Sequence, residues 1–329
     1  MKSFARPRVV VSQCLGFAAC RYNGQMIEDP FVKKLTPHVE FIPVCPEVEI
    51  GLGVPREPIR LVTRHGEPRL LQPATGLDLT DAMRRFANSF LDALGEVDGF
   101  ILKNRSPSCG IKDVKVYADT GPSPVREKGA GMFGGIVLER FPHLAIEDEG
   151  RLTNLRLRDH FLTKLFTLAS FRQIRTTESM KELIQFHSEN KYLLMAYSQK
   201  ELKILGKLVA NLEKQPFGII IEQYAEHLWA ALARPPRYQA NINVLHHILG
   251  HVSNGLTSQE RAFFLEIVEQ YRHGRIPLAV ATTLIRAWSI RLEAHYLLQQ
   301  TFLEPYPPEL IDPTDSGSKV LRSAQSGQL

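Results

Sequence analysis

Long apolar runs are missing from this sequence. None reaches the roughly 18 residues that a membrane-spanning helix needs, so no membrane partner is expected. The first residues, MKSFARPRVVVSQC, hold neither an apolar core region nor a small-residue cleavage site of a secretory leader. The expectation is a cytoplasmic protein. Cysteine is scarce as well: four occur in 329 residues, at positions 14, 20, 45 and 109. That is too few for a disulfide scaffold, and a reducing compartment would disfavour one. A metal or a reactive thiol is the better use for them. No internal repeat is present. With 44% hydrophobic and 23% charged residues, wholesale disorder is excluded and the length suits two domains.

The net charge of +5 is modest, but it is unevenly placed. Residues 1–150 hold 19 Lys/Arg against 19 Asp/Glu, whereas residues 151–329 hold 21 against 16. Eight of the eleven histidines also fall in the second half. The asymmetry points to an acidic partner for that half.

Residues 1–150 alternate strand and helix signals. Residues 7–13 (PRVVVSQ) form a β-branched run ending at Cys14, and residues 38–44 (HVEFIPV) a second ending at Cys45. A short helix is expected over 29–35. Residues 78–97 show a helical period, with Thr80 or Asp81 as N-cap. Residues 99–103 (GFILK) read as a third strand, followed by the turn Ser106-Pro107-Ser108 and Cys109. A glycine-rich turn, GAGMFGG (129–135), opens a last helix. The fold class expected is α/β, Rossmann-like with a mostly parallel sheet. From residue 155 the pattern becomes helical, with candidates at 155–173, 178–189, 191–211, 217–233, 239–252, 257–272 and 277–302. An all-α domain over 151–311 and a mobile polar tail over 312–329 complete the layout.

Cys14, Cys45 and Cys109 each follow a predicted strand. In an open parallel sheet those positions share the carboxyl edge, where loops converge on ligands. Thiolates gathered there suit zinc or an iron–sulfur cluster, and no histidine sits in a comparable loop. Cys20, six residues after Cys14, is available as a fourth ligand. Four inert buried cysteines remain the alternative, since cysteine is among the most buried residue types.

The surrounding segments VSQCLGFAACRYNG (11–24), PVCPEVEIGLGVPR (43–56), LKNRSPSCG (102–110) and GAGMFGG resemble the signature segments of the thiouracil and thiouridine desulfidases, over residues 7 to 142. The resemblance implies a [4Fe-4S] cluster on Cys14, Cys45 and Cys109. It leaves Cys20 out, at a position where relatives can carry valine, and this chain has Asn23 where many relatives carry Asp. Three thiolates leave one iron open, a soft Lewis acid for a thiocarbonyl sulfur, with no net redox change required. On this reading Glu47 is the candidate acid/base. Ser106 and Ser108 hydrogen-bond cluster sulfide or substrate, or only shape the turn. Lys103 stabilises negative charge on departing sulfide, and the glycine-rich loop offers N–H groups to an anion.

Residues 158–310 resemble the YbgA-like helical domain through LRDHFLTKLF (157–166), FHSENKYLLMAYSQKELKILGKLVA (186–210), INVLHHILGH (242–251), YRHGRIPLAVATTLIRAW (271–288) and EPYPPEL (304–310). An iron–sulfur desulfidase half followed by such a domain is the layout of the tRNA 4-thiouridine desulfidases, which implies tRNA as partner. The candidate RNA contacts are Lys164, Arg172 and Arg175 on one helical arc beside Arg158, and Lys200, Lys203 and Lys207 on another face. Tyr192, Tyr197 and Tyr271 are candidate stacking surfaces. His246, His247 and His251 lack the HExxH pattern and are expected in packing or phosphate contact rather than on a metal. His187 has no evident partner. Desulfuration of 4-thiouridine in tRNA is the leading expectation. Its alternatives are action on free thiopyrimidines such as 2-thiouracil, and an iron–sulfur sensor that binds nucleic acid without chemistry.

Overall fold

The structure, a computed structural model, describes residues 3–64, 66–118 and 125–311; the expected tail over 312–329 lies outside them. The chain divides into two compact units, Ala5–Ala169 and Met1–Phe4 with Ser170–Leu329. Among the described residues, no helix is long and apolar enough to cross a membrane.

The first unit begins with β1 (Arg8–Ser12), α1 (Pro30–Leu35), β2 (Glu40–Val44) and α2 (Pro46–Glu49). Three short strands follow, β3 (Arg60–Arg64), β4 (Glu67–Gln72) and β5 (Leu77–Asp78), then α3 (Thr80–Ala93) and β6 (Gly99–Leu102). The unit continues through β7 (Val114–Tyr117), β8 (Val125–Gly129), α4 (Met132–Arg140) and β9 (Ala145–Asp148). The 23-residue α5 (Leu155–Thr177) contains the division point.

Two sheets form. The first is four-stranded, in the order β2-β1-β6-β9, and every pairing in it is parallel. Val9, Val10 and Val11 of β1 are fully buried, as are Phe100, Ile101 and Leu102 of β6. Such continuous apolar runs are what a parallel sheet covered on both faces requires. The carboxyl ends of β1, β2 and β6 therefore lie side by side, and the cysteine loops leave from them. The second sheet, β5-β4-β3-β7-β8, is antiparallel at three of its four pairings. The expected parallel α/β sheet is the first of the two, and this second, mostly antiparallel sheet accompanies it. β4 (EPRLLQ) opens on charge and proline and β8 (VREKG) is largely exposed, so these two carry no strong apolar period.

Helix α3 buries Met83, Ala87 and Leu91, one stripe at helical spacing. Phe86 and Phe90 on it pack with Phe133 of α4. Its start differs from the expected cap. Leu79 occupies the N-cap, and the buried Thr80 hydroxyl instead accepts the Leu70 N–H at 2.9 Å.

The second unit is helical: α6 (Met180–Glu189), α7 (Lys191–Tyr197), α8 (Gln199–Ala210), α9 (Phe217–Ala231), α10 (Tyr238–Val252), α11 (Ser258–Arg272), α12 (Leu278–Arg291) and α13 (His295–Gln299). Two expected helices are each broken once. Ser198 adopts extended backbone between α7 and α8, and its side chain accepts the Glu201 N–H as N-cap. Glu293, at φ 53°, separates α12 from α13. The core gathers Tyr192, Leu245, Phe264, Ile285 and Trp288.

Candidate active site

Each cysteine is set by the strand end before it. After β1, Gln13 donates its N–H to Val44 O at 2.8 Å, and Cys14 follows in a tight turn. Cys45 is the N-cap of α2. Cys109 sits in the turn after β6, where its N–H donates to Ser106 Oγ at 3.1 Å. With Cys20 these thiols line one cavity of about 440 Å³, shared with Glu47, Arg56, Lys103, Ser106 and Ser108. Among the described residues, no histidine lines it. All four cysteines are free of disulfides.

The thiols are also neighbours. The Cys45 thiol approaches Cys20 O at 3.8 Å, and the Cys20 thiol is near enough to those of Cys14 and Cys45 to be influenced by both. The Cys14 contact, with burial, raises the Cys20 thiol to about 11. The Cys20 contact, then burial, pushes Cys45 up as well. Burial holds Cys109 up at about 12, opposed by the Ser12 and Ser108 hydroxyls. Ligation of a thiophilic centre displaces such protons. Among the described residues, no group of three His, Cys, Asp or Glu side chains is placed to hold a metal ion. Thiols distributed around a common cavity suit a multinuclear cluster, whose own size spaces its ligands, and the all-sulfur donor set fits one.

Glu47 lies at the mouth of α2 with both carboxylate oxygens engaged. Oε2 accepts from Arg56 Nε at 2.9 Å and Nη2 at 2.7 Å. Oε1 accepts from Ser108 Oγ at 2.6 Å. Ser106 Oγ accepts the backbone N–H groups of Ser108 and Cys109, leaving its own proton for Ser108 Oγ at 3.0 Å. The hydroxyl protons thus point in one sense, from Ser106 through Ser108 to Glu47, and the carboxylate is the terminal acceptor.

Lys103 is present in the cavity but its charge is spoken for. Its ammonium pairs with Glu149 and bonds Asn104 Oδ1. The glycine-rich loop is corrected in role. The Gly131, Met132 and Gly134 N–H groups donate to the carbonyls of Gly110, Pro107 and Ser108 at 2.6, 3.0 and 3.0 Å. A Cβ on Gly131 or Gly134 would lie 2.5 and 2.4 Å from carbonyl oxygens of the Ser106–Gly110 turn. The loop is a close-packed back wall for the Cys109 turn, with these donors already committed.

Residues 9–149 match the family described as 2-thiouracil desulfurase. The chain is 35% identical over 109 residues to the uncharacterized protein YbbK of Bacillus subtilis (strain 168), covering 31% of this chain and 72% of that one. The chain belongs to the 2-thiouracil desulfurase family. Residues 191–307 match a second family, described as a protein of unknown function (DUF1722). The uncharacterized protein YbgA of Escherichia coli (strain K12) is 26% identical over 154 residues, 46% of this chain and 91% of that one. A solved [4Fe-4S]-dependent thiouracil desulfidase, TudS, is 29% identical, covering 46% of this chain and 97% of its own, at a TM-score of 0.36.

Outside the desulfurase-family cavity, the expected RNA contacts separate into two groups. Lys164 is only 7% exposed, and burial lowers its ammonium to about 8. An ammonium enclosed in this way has no exposed face to present to a phosphate. Arg172 is half-buried, and Arg175 pairs with Glu222 at 2.9 Å. Lys200, Lys203 and Lys207 are exposed along α8. Tyr192 and Tyr271 are buried in the helical core and present no stacking face; Tyr197 is half-buried. His251 bonds Tyr192 Oη at 2.6 Å, and His187 bonds Tyr224 Oη at 3.1 Å.

Arg56 was not among the residues singled out by sequence, although it closes the PVCPEVEIGLGVPR segment. A single arginine nine residues from a glutamate carries no signal until the turn between them is known. Ser12 was missed too. Its hydroxyl accepts the Lys103 N–H at 2.8 Å and bonds the Cys109 thiol, joining β1 to the Cys109 turn.

Proposed function

We propose that the chain desulfurates thiopyrimidines by hydrolysis, using a [4Fe-4S] cluster held by Cys14, Cys45 and Cys109. The observation that carries the reading is the shared cavity: strand-end thiols and the Ser106–Ser108–Glu47 relay line the same volume. Membership of the 2-thiouracil desulfurase family and the all-thiol donor set support it. When bound, the cluster would supply a soft Lewis acid able to draw electrons from a thiocarbonyl.

The chain's own residues then have defined work. Water adds its oxygen to the ring carbon, and Glu47 Oε1, already an acceptor for Ser108, takes its proton. Arg56 keeps Oε2 occupied, so that Oε1 faces the cavity. That proton returns through Ser108 to sulfur as the carbon–sulfur bond breaks and its electron pair leaves with sulfur, and the second water proton, still on the added oxygen, passes by way of Glu47 to sulfur as the carbonyl forms. In sum, thiocarbonyl and water give carbonyl and hydrogen sulfide, with no electron transferred. The free thiols and the thiophilic site accord with a reducing, cytoplasmic setting.

A second reading is favoured by one observation, the row of exposed lysines on α8. It holds that the thiopyrimidine is presented within tRNA as 4-thiouridine. The test is anaerobic reconstitution, followed by separate incubation with 2-thiouracil and with thiolated tRNA. Sulfide and the oxo-pyrimidine should appear together in equal amounts. A fully loaded protein that releases sulfide from neither substrate would overturn the proposal.

A further inference from the structure

The loop between Leu15 and Ile27 is exposed or half-buried at every position except one. Cys20 is 6% exposed. A cysteine that only fills space lies among apolar side chains. This one lines a cavity together with three other thiols, Cys14, Cys45 and Cys109, and its carbonyl meets the Cys45 thiol.

Its backbone is held there. The Cys20 N–H donates to Ala18 O at 2.9 Å. The Cys20 carbonyl accepts from Arg56 Nη1 at 3.0 Å and faces the Cys45 thiol at 3.8 Å. Arg56 is the residue that fixes Glu47. The fourth thiol is therefore carried on an exposed loop, pinned at its buried point to the acid/base group.

We infer that Cys20 is a displaceable ligand: with no substrate present it closes the coordination position that ligation by Cys14, Cys45 and Cys109 leaves open, and it yields that position to the sulfur of a thiopyrimidine. The inference rests on the proposed function. A position open to water in a cavity of this size is where a cluster loses iron, and a thiolate reaching it from a neighbouring loop prevents that. The exchange is balanced without oxidation. On release, Cys20 keeps the electron pair of its bond to iron and either stays a thiolate or takes up a proton from the buffer. The substrate sulfur donates its own lone pair in its place.

Wild type, Cys20→Ala and Cys20→Ser are reconstituted anaerobically, and iron and sulfide are counted per chain. Each is then exposed to limiting ferricyanide, and conversion to the three-iron cluster is followed by electron paramagnetic resonance. All three are expected to load about four irons and four sulfides. Cys20→Ala should lose its labile iron about tenfold faster than wild type or more, with Cys20→Ser between them. Adding 2-thiouracil to reduced wild type should change the cluster spectrum and speed its iron loss.

Equal rates in wild type and Cys20→Ala would overturn the inference while leaving the desulfidase reading intact. A folded Cys20→Ala chain without iron would overturn it too, by making Cys20 an obligate ligand. A wild-type chain that takes up no cluster at all would instead remove the functional reading on which the inference stands.

Discussion

Arg56 places two N–H groups on one oxygen of Glu47, at 2.9 and 2.7 Å, and leaves the other oxygen to Ser108 at 2.6 Å. The pair is buried, with side chains 5% and 12% exposed. A guanidinium can do this because its donors are fixed in a plane, whereas an ammonium presents a single rotating head. The orientation of Glu47 is thus a property of Arg56. Arg56→Lys should lower kcat on 2-thiouracil by about 10-fold or more while iron and sulfide content stay at wild-type values. Unchanged kcat would show that Glu47 orients itself.

If Glu47 is the terminal proton acceptor, Glu47→Gln should retain the cluster and lose about 10²–10⁴-fold in kcat. Ser108→Ala should cost less, because water can replace the hydroxyl between Ser106 and the carboxylate. The measurement is steady-state sulfide release alongside the visible spectrum of the loaded protein. Activity of Glu47→Gln close to wild type would remove Glu47 from the chemistry.

The three strand-end cysteines make a sharper distinction. Alanine at Cys14, Cys45 or Cys109 should abolish cluster loading, because each removes a thiolate that no histidine in the cavity can replace. Iron and sulfide analysis after anaerobic reconstitution checks this. Stoichiometric zinc in place of iron and sulfide would replace the cluster reading with a single-ion site.

The legible part of this site was the part written in apolar runs. PRVVVSQ and GFILK announce buried parallel strands, and cysteines that follow such strands must meet at one edge. The second sheet was illegible because EPRLLQ and VREKG mix charge with few apolar residues, and pairing partners decide such strands. The helical angles of α5 were legible, but not which side of it is covered. Lys164 shares an arc with Arg172 and Arg175 on paper and is buried in the fold. Arg56 depends on how the chain turns between Glu47 and itself, which spacing alone does not encode.

Burial, aided by the Lys191 charge, holds the His187 imidazole at about 4, below its usual 6.5. The folded chain keeps this ring neutral while the unfolded chain takes up a proton as the pH falls below 6.5. Stability contributed by the neutral ring is therefore complete above that value and declines between about 6.5 and 4. His160, lowered to about 4 by its own burial, acts in the same window. Each contributes about 3 kcal/mol across it at most. His187→Gln, which can still bond Tyr224 Oη, should flatten part of the fall in melting temperature between pH 7 and pH 4.5. An unchanged pH profile would show that His187 is not desolvated in the fold.

The lysines of α8 decide between the two substrates. Lys200, Lys203 and Lys207 are exposed and lie at i, i+3 and i+7 on one helix. If they meet the phosphates of tRNA, each contact releases counterions, and log affinity falls with log salt by about 0.7 to 0.9 per contact. Replacing all three by Ala should flatten that slope by about two to three units and raise KM for thiolated tRNA. Turnover of free 2-thiouracil should be spared, since the thiol-lined cavity belongs to the other unit. Salt titration of tRNA binding, with kcat and KM on both substrates, makes the comparison. Equal losses on both substrates would assign the lysines to folding, and an unaltered slope would leave the free thiopyrimidine as the substrate that the molecule itself supports.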